Sequence, residues 1–297
     1  MRNGSPDTAI DVLRPPPKPV LPPRDPEPVG PTTPALAAGD VHIAIRGLGK
    51  HYVNRRRRRR RKDDPLQPGD LVVVLENIDL AFERGEMVCI LGPSGCGKST
   101  LLRIVAGFEE ASAGEVRIGD RVVEAPGAGS IFVFQHNGLL PWMTVRENVG
   151  LGLRHLPEAA AREEKIREFV EMVELEGFED HYPHQLSGGM QRRAELARAL
   201  AVNPEILIMD EPFSGLDFLT HRKMREEAVM MHEYIRKTTL MVTHDIDDAL
   251  IMGDRVVILS GRPCRVLMDR RLDFPRPRDF GKIPALARLR TDIFMML

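Results

Sequence analysis

Along the chain, apolar periodicity first appears at residue 41, where Val41, Ile43 and Ile45 alternate with His42, Ala44 and Arg46 like a half-buried strand. Apolar runs at 71–75 and 78–82 predict more of the same sheet, and Arg84-Gly85-Glu86 makes a turn. Residues 87–91 are wholly apolar and run into a glycine, as expected of a strand covered on both faces. A helix-length segment follows from 98 to 106. Within 158–175, Ile166, Phe169, Val170 and Val173 fall at i, i+3, i+4 and i+7, one apolar helix face. Residues 187–201 predict a second helix, capped by Ser187 and rich in Ala, Leu and Arg. Strand-like runs return at 206–209, 239–242 and 256–259, with a helix-length segment between the first two. Strand and helix alternate at both ends with helices inserted between, so the pattern predicts an α/β core carrying a helical subdomain.

Composition narrows this picture. Of 297 residues 42% are hydrophobic and 29% charged, ordinary for a globular protein. No apolar stretch approaches the roughly 20 residues needed to cross a bilayer. The N-terminus lacks an apolar signal core, which implies a cytosolic chain. Cys89, Cys96 and Cys264 have neither metal nor redox spacing, as in a reducing compartment. Residues 1–38 hold eleven of the 24 prolines and few core-forming residues, so an extended, disordered tail is expected there.

The net charge of −1 conceals one extreme, the eight consecutive cations of residues 55–62. They repel one another and cannot pack in a core, so they require a solvated loop within an insertion at 54–70. A tolerated insertion, a nucleic-acid contact and attraction to anionic lipid are the three readings of this run. The rest of the chain is acidic and does not resemble a nucleic-acid binder.

Three segments carry chemistry. Gly92-Pro93-Ser94-Gly95-Cys96-Gly97-Lys98-Ser99, followed by Thr100, matches G-x-x-x-x-G-K-[ST] between a predicted strand and a predicted helix. Its glycines let successive N–H groups face a phosphate chain, Lys98 can reach the β- and γ-phosphates, and the Ser99 hydroxyl can hold Mg²⁺. The apolar run 206–209 leads into Asp210 and Glu211. One acid at such a strand end can bind Mg²⁺, and the next can orient or deprotonate an attacking water. Leu186-Ser187-Gly188-Gly189-Met190 opens a helix with a serine and two glycines, a second anion-binding site in one chain. One nucleotide does not need two cradles. Two chains packed head to tail, each closing the other's site, would use both.

From 41 to the C-terminus the chain resembles ABC-transporter ATP-binding subunits, with phosphate loop, signature and acid pair in that family's order. The resemblance implies a P-loop NTPase core with an antiparallel β subdomain and a helical insert at about 137–202, within a nucleotide-binding domain spanning 39–272. It also implies roles for further residues. Gln135, in Phe132-Val133-Phe134-Gln135-His136, looks like the glutamine that senses Mg²⁺ and γ-phosphate. Asp217, in Ser214-Gly215-Leu216-Asp217, resembles the aspartate that meets the partner chain beside Ser187, Gly188 and Gly189. His244, in Val242-Thr243-His244-Asp245, resembles the histidine that stabilises the transferring phosphate. Tyr52 sits where the family stacks a ring on adenine, or is a core aromatic. Cys96 reads as a packing residue, with thiolate character at a helix N-terminus as the alternative. Arg192 stands where many members have glutamine and is expected to alter only the surface of the signature helix.

The segments 139–148, 182–186 and Phe274-Pro275-Arg276-Pro277-Arg278-Asp279 are similar to the nitrate/sulfonate/taurine importer group, with 273–297 as that group's C-terminal extension. There 139–142 faces the membrane partner, while without the resemblance Trp142 reads as a core residue. The implied protein is a peripheral ATPase at the cytoplasmic face of the membrane. It uses ATP and Mg²⁺, pairs with a second copy of itself, and serves a permease and a solute-binding protein. No nucleic-acid partner is expected. One rival is a non-transport ABC ATPase acting on DNA or ribosomes. Only 88 residues lie between Lys98 and Ser187, leaving no space for the long coiled coil of chromosome-type members. The other is a regulatory subunit that binds ATP without hydrolysis, against which Lys98, Glu211 and His244 all stand.

Overall fold

The structure is a computed structural model and describes residues 41–54, 70–127, 129–134 and 138–297. The proline-rich tail, the run of cations and Gln135 lie outside the described residues.

Two sheets are built. The first is antiparallel, in the order β2-β1-β4-β5, from β1 (Val41–Val53), β2 (Leu71–Glu83), β4 (Ala113–Ile118) and β5 (Arg121–Val122). The apolar runs at 71–75 and 78–82 belong to one strand, whose register against β1 shifts at bulges. One such shift between Val41 and Ile43 breaks the expected alternation. His42 turns inward, with Nδ1 2.6 Å from the Thr238 hydroxyl and Nε2 3.3 Å from Glu205.

The second sheet has the order β10-β9-β3-β8-β7-β6, from β3 (Met87–Leu91), β6 (Ser130–Val133), β7 (Ile206–Asp210), β8 (Thr238–Val242), β9 (Arg255–Leu259) and β10 (Val266–Arg271). All neighbours pair in parallel except the β9–β10 hairpin. Every residue of β3, β7, β8 and β9 is buried. The cause is cover on both faces. Val88, Ile90, Ile208 and Leu240 join a core with the antiparallel sheet and with Leu101 and Leu102 of α1 (Lys98–Val105). Cys89, Leu91, Met209 and Met241 point the other way. They pack with residues of α4 (Gly188–Ala201), α5 (Phe218–Ile235), α6 (Ile246–Met252) and α7 (Pro284–Met296).

A third apolar cluster joins α2 (Val145–Gly152), α3 (Ala159–Met172) and α4. Ile166, Val170 and Val173 of the predicted face supply its centre, and Phe169 packs at its edge. The packed alanines Ala194, Ala197 and Ala201 let α4 approach closely while its other side serves the second core. Among the described residues no helix is long and apolar enough to cross a membrane.

The full burial of β9 extends to a charged residue. Arg255 is 0% exposed, and its guanidinium forms two short hydrogen bonds with the Asp269 carboxylate on β10. It also donates to the Ala81 carbonyl at 2.7 Å and lies 3.8 Å from Glu86, stitching the two sheets together.

Candidate functional site

β3 delivers residues 92–97 to its carboxyl end, where open α/β sheets form ligand sites. Gly97 has φ 133°, and a Cβ there would stand 2.8 Å from Val74 Cγ1 and 2.9 Å from Leu75 Cδ2. Only glycine fits both constraints. The turn brings Lys98 to the start of α1, where its ammonium donates to the carbonyls of Gly92 at 2.7 Å and Pro93 at 3.0 Å. Arg262, from the β9–β10 connection, donates through Nε to the Gly95 carbonyl at 3.2 Å. Cys96 is buried beneath the loop, hydrogen-bonded to the Cys264 thiol. That bond and the nearby Lys98 ammonium hold the Cys96 thiol below its ordinary range, against burial.

A cavity of about 740 Å³ opens here, lined by Tyr52, Ser94, Gly95, Gly97, Lys98, Ser99 and Thr100, and also by Glu211 and Arg262. It falls within the usual range for small-molecule sites. Gly92, Pro93 and Cys96 support this lining without joining it. The Tyr52 hydroxyl donates to Glu109 and Lys50 lies 5.1 Å from its ring centroid, so the ring is fixed at the cavity edge.

The acid pair ends β7. Asp210 is buried, and burial pushes its carboxyl above the usual carboxylate range; the Ser99 hydroxyl hydrogen-bonded to it works the other way. Hydroxyl and carboxylate oxygens together suit a hard divalent cation, so Ser99 and Asp210 fit Mg²⁺. Glu211 adopts φ 48°, rare outside glycine. Its N–H donates to Val242 at 2.9 Å and its carbonyl accepts from Ser214 at 3.2 Å, which holds the turn against β8. The Glu211 carboxylate lies 3.6 Å from Nδ1 of His244, whose ring is exposed just beyond β8. The chain thus brings the lysine, the serine–aspartate pair and the glutamate–histidine pair to one end of the sheet.

The signature residues stand apart. Ser187 caps α4 by accepting from Met190 N at 3.3 Å. A Cβ on Gly189 would lie 2.6 Å from Thr220 Cγ2 on α5, so glycine is required for that close approach. Asp217 caps α5 by accepting from Leu219 and Thr220 N–H, each at 3.1 Å. Neither these two residues nor Ser187 and Gly188 line the cavity.

One reading needs correction, and one alternative falls. Arg192 is 5% exposed rather than a surface variation, because its guanidinium finds partners inside: the Pro212 carbonyl at 2.5 Å, the Phe134 carbonyl at 2.8 Å and Glu195 at 2.6 Å. Of the two readings of Trp142 the core alternative falls, since the residue is 68% exposed. Its loop is held from below by Asn148, which accepts from Leu140 N at 2.9 Å and donates to the Met143 and Thr144 carbonyls at 3.0 Å each. Sequence reading missed Arg262, Glu195 and Asn148 as supporting residues. Arg262 has no local signal, since its partner lies 167 residues away.

Comparison with known proteins bears on all of this. Residues 75–214 match the family model described as ABC transporter. The chain is 40% identical to the nitrate import ATP-binding protein of Synechococcus elongatus over 228 residues, 74% of this chain and 83% of the relative. It is 41% identical to an aliphatic sulfonates import ATP-binding protein of Bacillus cereus over 210 residues, 70% of this chain and 83% of the relative. Among solved structures, an ATP-binding cassette captured as a dimer after hydrolysis, with ADP and Pi bound, matches with TM-score 0.64 and 32% identity. That match covers 78% of this chain and all of the other.

Proposed function

The chain belongs to the ABC transporter family of ATP-binding proteins, and on that premise we propose that two copies of it hydrolyse two ATP molecules at a shared interface to drive import through a separate permease. The carrying observation is the meeting of Lys98, Ser99 and Glu211 at one cavity that lacks Ser187, Gly188 and Gly189. A second copy turned head to tail would supply those residues, and its Asp217, to the same nucleotide.

In this reading the loop amides, Lys98 and Thr100 hold the phosphates, and Tyr52 stacks on the base. Ser99 and Asp210, with Gln135, hold Mg²⁺, which when bound neutralises charge building on the phosphoryl oxygens. Glu211 orients the attacking water and takes its proton, and His244, beside it, stabilises the transferring phosphate. Catalysis is mainly positioning and charge stabilisation. Closure of the two chains is the motion a permease would harvest.

The relatives named above suggest a small anion such as nitrate or a sulfonate as the solute, delivered by a solute-binding protein. A subunit of this kind sits at the cytoplasmic face, and the acidic body argues against nucleic acid as a partner.

Assembly tests the scheme. Sedimentation of the Glu211→Gln variant is expected to give a dimer in Mg-ATP and a monomer in ADP, because binding survives while turnover stops. A monomer at saturating ATP, with the permease present, would sink the shared-interface reading.

The exposed Trp142, on a loop braced by Asn148, is the proposed contact for the permease. Trp142→Ala is expected to keep basal ATPase activity and melting temperature while weakening co-purification with the permease. A parallel fall in stability and basal activity would contradict that role.

A further inference from the structure

Arg192 and Glu195 form an ion pair inside the protein, one helical turn apart on α4, with side chains 6% and 3% exposed. Burying two charges costs several kcal/mol per ion unless their remaining donors and acceptors are filled. Here they are filled by backbone from three separate segments. The guanidinium donates to Phe134 and to Pro212, and the other oxygen of Glu195 accepts from Gly138 N–H at 3.0 Å. Burial pushes the Glu195 carboxyl up, while Arg192 opposes that shift.

The partners' places in the chain give the pair its meaning. Pro212 directly follows Glu211, inside the turn where Glu211 is held at φ 48°. Left-handed backbone is strained for a non-glycine residue and persists only where surrounding structure fixes it. Phe134 and Gly138 are the described residues on either side of 135–137. Ser187 caps the N-terminus of the same helix. One rigid helix therefore carries the signature residues at its N-terminus and, one turn in, the grip on the Glu211 turn.

We propose that Arg192 and Glu195 are positioning residues for hydrolysis: together they tie the signature helix of each chain to the turn that aims its own Glu211. The inference rests on the ATPase reading above and adds a link within one chain between its two nucleotide-facing ends. Through the Arg192–Pro212 contact, the position of α4 and the aim of Glu211 are set together. An apolar pair of equal volume would pack as well but could hold neither carbonyl nor amide.

The test separates positioning from stability. Arg192→Met is expected to lower kcat at least about tenfold, since small misplacement at a catalytic centre is costly, with KM for ATP unchanged within about twofold. That variant strands Glu195, so the double variant Arg192→Met/Glu195→Leu is made beside it. It is expected to regain the wild-type melting temperature and to keep the low kcat. Glu195→Gln, whose single carbonyl oxygen can accept from Arg192 or from Gly138 but not from both, is expected to fall between wild type and the double variant in kcat. In the ATP-free protein, amide exchange at Gly138, Phe213 and Ser214 should accelerate in the double variant while exchange in α1 stays constant. Recovery of kcat together with stability, or unchanged exchange at 213 and 214, would reduce the pair to a structural role. Absence of ATPase activity in the wild-type chain would instead overturn the underlying reading, and the exchange measurement would still decide the grip.

Discussion

Glu211→Gln is expected to lower steady-state ATP hydrolysis by on the order of a hundredfold or more while leaving ATP binding intact. The glutamine keeps the shape of the side chain at the end of β7, so the turn through Val242 and Ser214 survives. What disappears is the acceptor for a proton from water. Lys98→Ala should differ in kind. The ammonium, held by the Gly92 and Pro93 carbonyls at the cavity floor, is the charge that meets the phosphates, so its loss should weaken nucleotide binding itself. A fluorescent ATP analogue and a phosphate-release assay read the two effects separately. If Glu211→Gln hydrolyses ATP at nearly the wild-type rate, the glutamate is not the base.

The largest effect on stability should come from Arg255→Met. Arg255 is fully buried, and its loss strands Asp269, which is 8% exposed, together with a share of the Ala81 carbonyl's bonding. Breaking a buried pair from one side costs roughly 3–5 kcal/mol, or about 10 °C in a chain of this size. Calorimetry would read the shift directly, and Arg255→Met/Asp269→Leu should recover most of it because no charge is then orphaned. A shift under about 2 °C in the single variant would mean that water reaches Asp269 and that the pair contributes little.

Much of the architecture was legible before any coordinates. The runs at 87–91, 206–209, 239–242 and 256–259 could be read as strands because a strand covered on both faces must be apolar at every position. The helix over 187–201 was legible because its cap and its periodicity are local. The phosphate loop was legible because its chemistry is compact, with eight consecutive residues making the turn, the cradle and the charge.

Elements and residues whose state depends on distant partners were not legible. β5 has two residues and β10 is three apolar residues followed by three charged ones, so neither carries an alternating pattern of its own; pairing with β4 and β9 makes them strands. Arg192 reads as a solvated residue on a polar helix face until Phe134 and Pro212 come within reach of it, from 58 and 20 residues away. Nothing local to Trp142 decides between core and surface, and the structure leaves it outside, on a loop that Asn148 braces from within. Cys96 and Cys264 have no redox spacing in the chain, yet their thiols meet under the phosphate loop. Sequence thus determined what neighbouring residues decide among themselves: period, caps, and a contiguous anion cradle. The burial of a charge or a thiol was left to tertiary structure, because such a group enters the core only when partners contributed by other strands and helices replace the water it loses.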